Sequence, residues 1–222
     1  MHLVFVFGPP AVGKMTVGRE IASRAGYKLL HNHMPIEPLL EIFDFGTPSF
    51  GRLVDDFRRG VIEEAIVSEL PGLVFTMVWG LDLASDHALV SSYVGVVERA
   101  GGRVTFVELY AALGERLERN RTELRLAEKR SKRDVEWSHG NLIELESYVM
   151  STGDGPTRAD DLLEGHEHLR IDNTDLTAAG AADRIVADIG LSEPGVQRVG
   201  ARSVEVPTGH GATGQHEHDH LG

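Results

Sequence analysis

The chain is predicted to be an α/β protein, a five-stranded parallel sheet flanked by helices, and three observations carry that reading. The run Leu3–Phe7 is apolar throughout, as a strand buried on both faces should be; it breaks into a glycine-bracketed loop, and Thr16–Arg24 then continues as a helix. Strand-like runs recur at Tyr27–His31, Leu73–Trp79, Val104–Tyr110 and Leu169–Asp172, separated by segments of helical periodicity, and this alternation builds parallel sheets with crossover helices. Val90, Tyr93, Val94 and Val97, and again Ala182, Ile185, Val186 and Ile189, stand at i, i+3, i+4, i+7, the stripe a helix lays on such a sheet.

The first element sets the chemistry. Gly8, four residues, then Gly13-Lys14 is the Walker A spacing, in which loop amides and a helix N-terminus surround phosphate oxygens while the lysine reaches the β/γ-phosphates. The candidate phosphate-binding residues are therefore Gly8, Pro9, Pro10, Ala11, Val12, Gly13, Lys14, Met15 and Thr16. The position after the lysine, where a magnesium-binding hydroxyl is expected, is Met15; the hydroxyl comes one place later, at Thr16. GPPAVGKMT resembles the loop of adenylate kinases and related small-molecule kinases, where the lysine is followed by one residue and then a threonine. That resemblance implies ATP and Mg²⁺.

The second strand ends in YKLLHNHMP. Ligands of open α/β sheets sit beyond the carboxyl ends of strands, so His31, Asn32 and His33 are candidate site residues. In continued extended backbone His31 and His33 would point the same way and Asn32 the other. Either they face a ligand, or they are partly buried histidines bonded to loop backbone. Shikimate kinases and chloramphenicol phosphotransferases, which this arrangement resembles, carry aspartates at the end of this strand. The resemblance puts His33 in the acceptor-side place and His31 in the metal-side one. A neutral imidazole accepts a proton near pH 7, so His33 is a candidate catalytic base.

Residues 34–70 read as an acceptor-binding subdomain: a short helix, a loop, and a long helix from Arg52 to Leu70 with Phe57, Val61, Ile62, Ala65 and Ile66 as its apolar face. Arg58 and Arg59 lie among Asp55, Asp56, Glu63 and Glu64, which suits surface ion pairing. By resemblance to the Phe-Arg segment of shikimate kinase, Arg58 is also a candidate contact for an anionic acceptor. Phe43, Phe45 and Phe50 either wall an acceptor pocket or belong to the core. After the third strand, Trp79 stands roughly where adenylate kinases have a Walker B aspartate; it stacks on an acceptor or closes the core. Asp82 either binds magnesium through water or caps the next helix with Ser85 close behind.

Between Glu115 and Arg133, eight of the chain's 22 cations fall within 19 positions of a protein that is net −12. Interleaved glutamates pair with some of them, but not with so local an excess. Arginine forks stabilise the equatorial charge of a phosphoryl group in flight. The order of strand, Glu-Arg-x-x-Arg helix, basic loop and Arg-Asp resembles the lid, here about 119–134, of adenylate and shikimate kinases. That implies Arg116 stacked on adenine, and Arg119, Arg121, Arg125 and Arg133 as the pool for phosphate contacts. Asn173 and Thr174, at the end of the last strand, lie where related kinases bind the adenine edge; Thr174 or Asp175 also suits a helix cap. His166 and His168 flank the strand start, away from the expected site.

One domain, about 1–190, and a disordered His-rich tail, 191–222, account for the length. Acidic residues outnumber basic ones 34 to 22, which disfavours nucleic acid or anionic membrane as the main partner. There is no cysteine, no run of ~18 apolar residues and no signal peptide, so a soluble cytoplasmic protein is expected. The family resemblance, over about residues 2–190, implies an ATP-dependent phosphotransferase acting on a hydroxyl of a small molecule, a metabolite or an antibiotic. A nucleoside or nucleotide kinase and a non-catalytic nucleotide-binding regulatory module are the alternatives.

Overall fold

The apolar run Leu3–Phe7 needs cover on both faces, and β1 (His2–Phe7) has it: all six of its residues are buried. In the computed structural model, which describes residues 1–121, 140 and 142–191, the other strands are β2 (Lys28–His31), β3 (Gly72–Thr76), β4 (Arg103–Tyr110) and β5 (Glu167–Asp172). The helices are α1 (Lys14–Ala25), α2 (His33–Leu39), α3 (Pro48–Val67), α4 (Ala84–Arg99), α5 (Leu113–Asn120), α6 (Asp160–Glu164) and α7 (Ala178–Asp188). All strand pairs are parallel, in the order β2-β3-β1-β4-β5, with Leu3 opposite both Leu73 and Val104.

Strand periodicity of two divides the core. Leu3, Phe5 and Phe7 face α3 and α4 through Phe75, Ile62, Tyr93 and Phe106; Val4 and Val6 face α1 and α7 through Val17, Ile21, Ala182 and Ile185. A third, small cluster of Ile36, Phe50 and Val54 joins α2 to α3. Parallel strands send every carboxyl end to one edge, so the loop after β1, the histidines after β2 and the turn after β5 share it.

Several expected boundaries shift, for local reasons. β3 ends at Thr76; Met77 still donates its N–H to Val6 O (3.1 Å), and Trp79 then packs into the core. α3 starts at Pro48, not Arg52, because Thr47 Oγ1 accepts from Phe50 N–H (3.4 Å) and proline suits the first helical position. Its buried face is Phe50, Val54, Arg58, Ile62 and Ala65, which leaves Phe57 46% exposed. Neither Asp82 nor Ser85 caps α4: its N-cap is Leu83, and Asp86 Oδ2 instead accepts from Gly80 N–H (2.9 Å). α7 is capped by Thr177, which accepts from Gly180 N–H (3.0 Å), not by Thr174 or Asp175. Arg125, Arg133 and the tail from Ser192 lie outside the described residues.

Candidate active site

The loop after β1 is built on left-handed turns, with φ of 133° at Gly8, 63° at Ala11 and 101° at Gly13. A Cβ at Gly8 would stand 2.2 Å from the carbonyl oxygen of Leu109 on β4, so only glycine passes there. Lys14 Nζ folds over the loop and donates to the carbonyls of Gly8 (2.7 Å) and Pro9 (2.8 Å). Gly13 O accepts from Thr16 Oγ1 and from Val17 N–H, both at 2.9 Å, and so starts α1. The first-turn amides of α1 have no acceptor within the helix, and the positive end of its dipole adds to them. Loop amides, helix end and the Lys14 ammonium together make an arrangement that can receive an anion.

The loop is braced from behind. Val12 O accepts from Asn173 Nδ2 (2.8 Å) and from Arg119 (3.2 Å). Arg119 also donates to the carbonyls of Asn173 (2.8 Å) and Thr174 (2.9 Å), and through Nε to Glu115 (2.8 Å). These bonds take Arg119 out of the lid pool. Thr174 turns back on Asp172, donating its N–H (3.0 Å) and hydroxyl (2.7 Å) to Oδ1, and accepts from Ala112 N–H (3.0 Å). Arg116 is not an exposed platform: it is 4% exposed, grips Glu146 with both terminal nitrogens (2.8 and 2.6 Å) and donates to Ala111 O (3.0 Å). Arg121 is exposed and 3.6 Å from Glu118.

At the other end of the site the extended backbone stops at His31. Asn32 is helical (φ −49°, ψ −33°) and His33 opens α2, so the two histidines do not share a strand face as expected. His33 Nδ1 lies 3.5 Å from Glu37 Oε1, one turn on. Asn32 Oδ1 accepts from Arg58 (2.6 Å), and its N–H reaches Thr76 Oγ1 (3.4 Å). Arg58 is 6% exposed and also pairs with Asp55 (3.2 Å). It is therefore committed to holding the β2–α2 turn, which corrects its expected role as an open receptor for an anionic acceptor.

Trp79 is wholly buried among Phe5, Phe7 and Phe106, with ring centroids 5.1–5.8 Å apart, so it closes the core and cannot stack on an acceptor. Phe50 belongs to the small core, and Phe45 is exposed with its ring 5.4 Å from that of Phe50. The Asp82 side chain is exposed, and its carbonyl accepts from Arg158 Nε (3.1 Å), which fastens it to the 149–158 segment.

Two carboxylates escaped the sequence reading. Glu37 becomes visible as a His33 partner only once α2 begins at His33, because the i, i+4 spacing then brings the pair together. Glu108 is an acid inside an apolar strand, opposite Phe7, and it is wholly buried. It accepts from Ser151 Oγ (2.7 Å), Thr152 Oγ1 (2.6 Å), Thr152 N–H (3.1 Å) and Arg170 Nε (3.0 Å), and His168 Nε2 lies 3.4 Å away. Burial pushes its pKa up, but hydrogen bonding by His168, Thr152 and Ser151 wins and holds it at about 2. His168 thus meets the same carboxylate as Ser151 and Thr152. Among the described residues no cluster of three or more His, Cys, Asp or Glu could hold a metal ion.

No protein-family model and no curated protein matches the chain. Solved structures do. A sugar kinase from Janibacter sp. superposes with a TM-score of 0.53 at 14% identity, over 86% of this chain and 95% of that one. The tunicamycin resistance protein of Deinococcus radiodurans gives 0.52 at 17%, over 87% and 98%. A shikimate kinase from Bacteroides thetaiotaomicron gives 0.51 at 15%, over 85% and 98%. At these identities the likeness shows the fold, and that fold is the five-stranded P-loop fold of the shikimate-kinase type.

Proposed function

We propose that the chain is an ATP-dependent phosphotransferase that moves the γ-phosphate to a hydroxyl of a small molecule. The observation that carries this is the loop: Gly8 and Gly13 in left-handed turns, Lys14 over the turn and Thr16 at the helix start, on the same sheet edge as the His33–Glu37 pair. The donor set, loop amides and the Lys14 ammonium beside a helix N-terminus, fits a nucleotide phosphate chain. Thr16 is the proposed protein ligand for Mg²⁺, whose other ligands would be phosphate oxygens and water; the ion would neutralise developing charge. Asp82 would reach that ion only through water.

Lys14 exchanges its loop carbonyls for β/γ-phosphate oxygens. His33 orients the acceptor hydroxyl and takes its proton, with Glu37 holding the imidazole and His31 beside it; a loose transition state needs little more from a base. Arg58 fixes Asn32 and through it this turn. The loop backbone at Asn173 and Thr174 flanks the adenine edge, and Arg121, with Arg125 and Arg133, supplies phosphate contacts. The sugar, shikimate and tunicamycin of the neighbours' names support a hydroxylated metabolite or antibiotic as acceptor, and the need for ATP supports a cytoplasmic setting. A second reading, a nucleotide-binding regulatory module without transfer, is favoured by one observation: Trp79, which by resemblance stands roughly where adenylate kinases have an aspartate, is buried in the core. ADP release measured with sugars, cyclohexanol acids, hydroxylated antibiotics and nucleosides separates the two. The proposed enzyme releases ADP in an acceptor-dependent way; a module binds ATP and shows no dependence on any acceptor.

A further inference from the structure

We propose that Arg119 and Asn173 are positioning residues that aim the Gly13 amide into the phosphate loop by holding the Val12 carbonyl outside it. The inference rests on reading the loop as a nucleotide site. In a trans peptide the C=O and the following N–H point in opposite directions, so the side on which Val12 O is held decides where Gly13 N–H points. Val12 O accepts from Asn173 Nδ2 (2.8 Å) and from Arg119 (3.2 Å), which uses both lone pairs of that oxygen.

The two donors come from different elements, α5 and the turn after β5, and each is itself fixed. Asn173 is 2% exposed and donates its N–H to Tyr110 O (2.8 Å), while Arg119 also grips the carbonyls of Asn173 and Thr174. Such a brace is needed at this bond in particular. Gly13, at φ 101°, has no Cβ to resist rotation of the peptide before it. Once rotated, the peptide would turn the negative end of its dipole, Val12 O, toward the phosphate. The brace therefore sets the polarity of the loop rather than touching the nucleotide.

The test uses the full chain and inorganic triphosphate, which reads the phosphate loop without the adenine edge. Asn173→Ala and Arg119→Met each remove donors to Val12 O; the second lies at a part-exposed position and guards against a folding failure of the first. In each variant the Kd for triphosphate should rise roughly tenfold, a factor in keeping with a lost hydrogen bond. The Gly13 amide resonance should also lose the displacement that triphosphate causes in the parent. Unchanged affinity in both variants overturns the brace, as does weaker binding with the Gly13 displacement intact, which would mean a charge effect alone. A parent chain that binds no triphosphate overturns the nucleotide reading itself, and the inference falls with it.

Discussion

Glu108 stays ionised in the core because its neighbours supply what water would. Ser151, Thr152 and Arg170 donate to it, so Glu108→Ala leaves their donors facing a void and should cost about 3 kcal/mol or more in urea unfolding. With its folded pKa lowered to about 2, its contribution is fully present above its ordinary value of 4.5 and is lost as pH falls through 2. His2 acts in the same direction at higher pH, for a different reason. Burial, with the nearby Arg103 charge, lowers its pKa from 6.5 to about 4 between Tyr27 OH (3.2 Å) and Thr105 Oγ1 (2.9 Å). Between those two values the unfolded chain binds a proton that the folded chain refuses, so stability falls as pH drops from 6.5 to 4. Urea midpoints at pH 7 and pH 4.5 should differ less in His2→Gln than in the parent. Neither environment was legible in the sequence, because their partners lie up to 103 residues away. Gly8, Gly13, Lys14 and Thr16 were legible, since the loop chemistry allows few residue types at fixed spacing.

The elements were read by type more securely than by end. Five strands and the α4 and α7 stripes stand where periodicity puts them, whereas starts depend on one hydroxyl: Thr47 moves α3 four residues earlier, and Thr177 starts α7. α2 runs through Pro35, because the first turn of a helix tolerates proline, and its start at His33 takes that residue off the expected strand face. For the element at the centre of the site, Gly8→Ala forces a Cβ onto a backbone oxygen of β4, which cannot yield as a side chain can. ATP affinity should fall by roughly 10²-fold or more, given the several kcal/mol that such strain costs. Equal affinity in calorimetric titration would show that the loop does not need its close approach to Leu109. Removing the Thr177 cap should cost only about 1 kcal/mol and leave ATP affinity unchanged.

For the molecule as a whole, alternation predicts a parallel sheet, but the order β2-β3-β1-β4-β5 rests on pairings that no local pattern encodes. The same limit hid the Arg58–Asn32 bond, which turned an arginine read as helix surface and anion contact into a buried support. The small core of Ile36, Phe50 and Val54 makes α2 and α3 a unit beside the main sheet, so Phe50→Ala should raise the acceptor KM while leaving the ATP KM near the parent's. The central claim, transfer from the β1 loop to an acceptor at the end of β2, is tested most directly by following ATP–Mg²⁺ and the acceptor panel by ³¹P NMR in the parent, Lys14→Ala and His33→Ala chains. The account predicts a phosphomonoester resonance in the parent on at least one hydroxylated acceptor, none with Lys14→Ala, and formation slowed by about 10²–10⁴-fold with His33→Ala. Release of inorganic phosphate alone with every acceptor, or transfer that persists in Lys14→Ala, would contradict it.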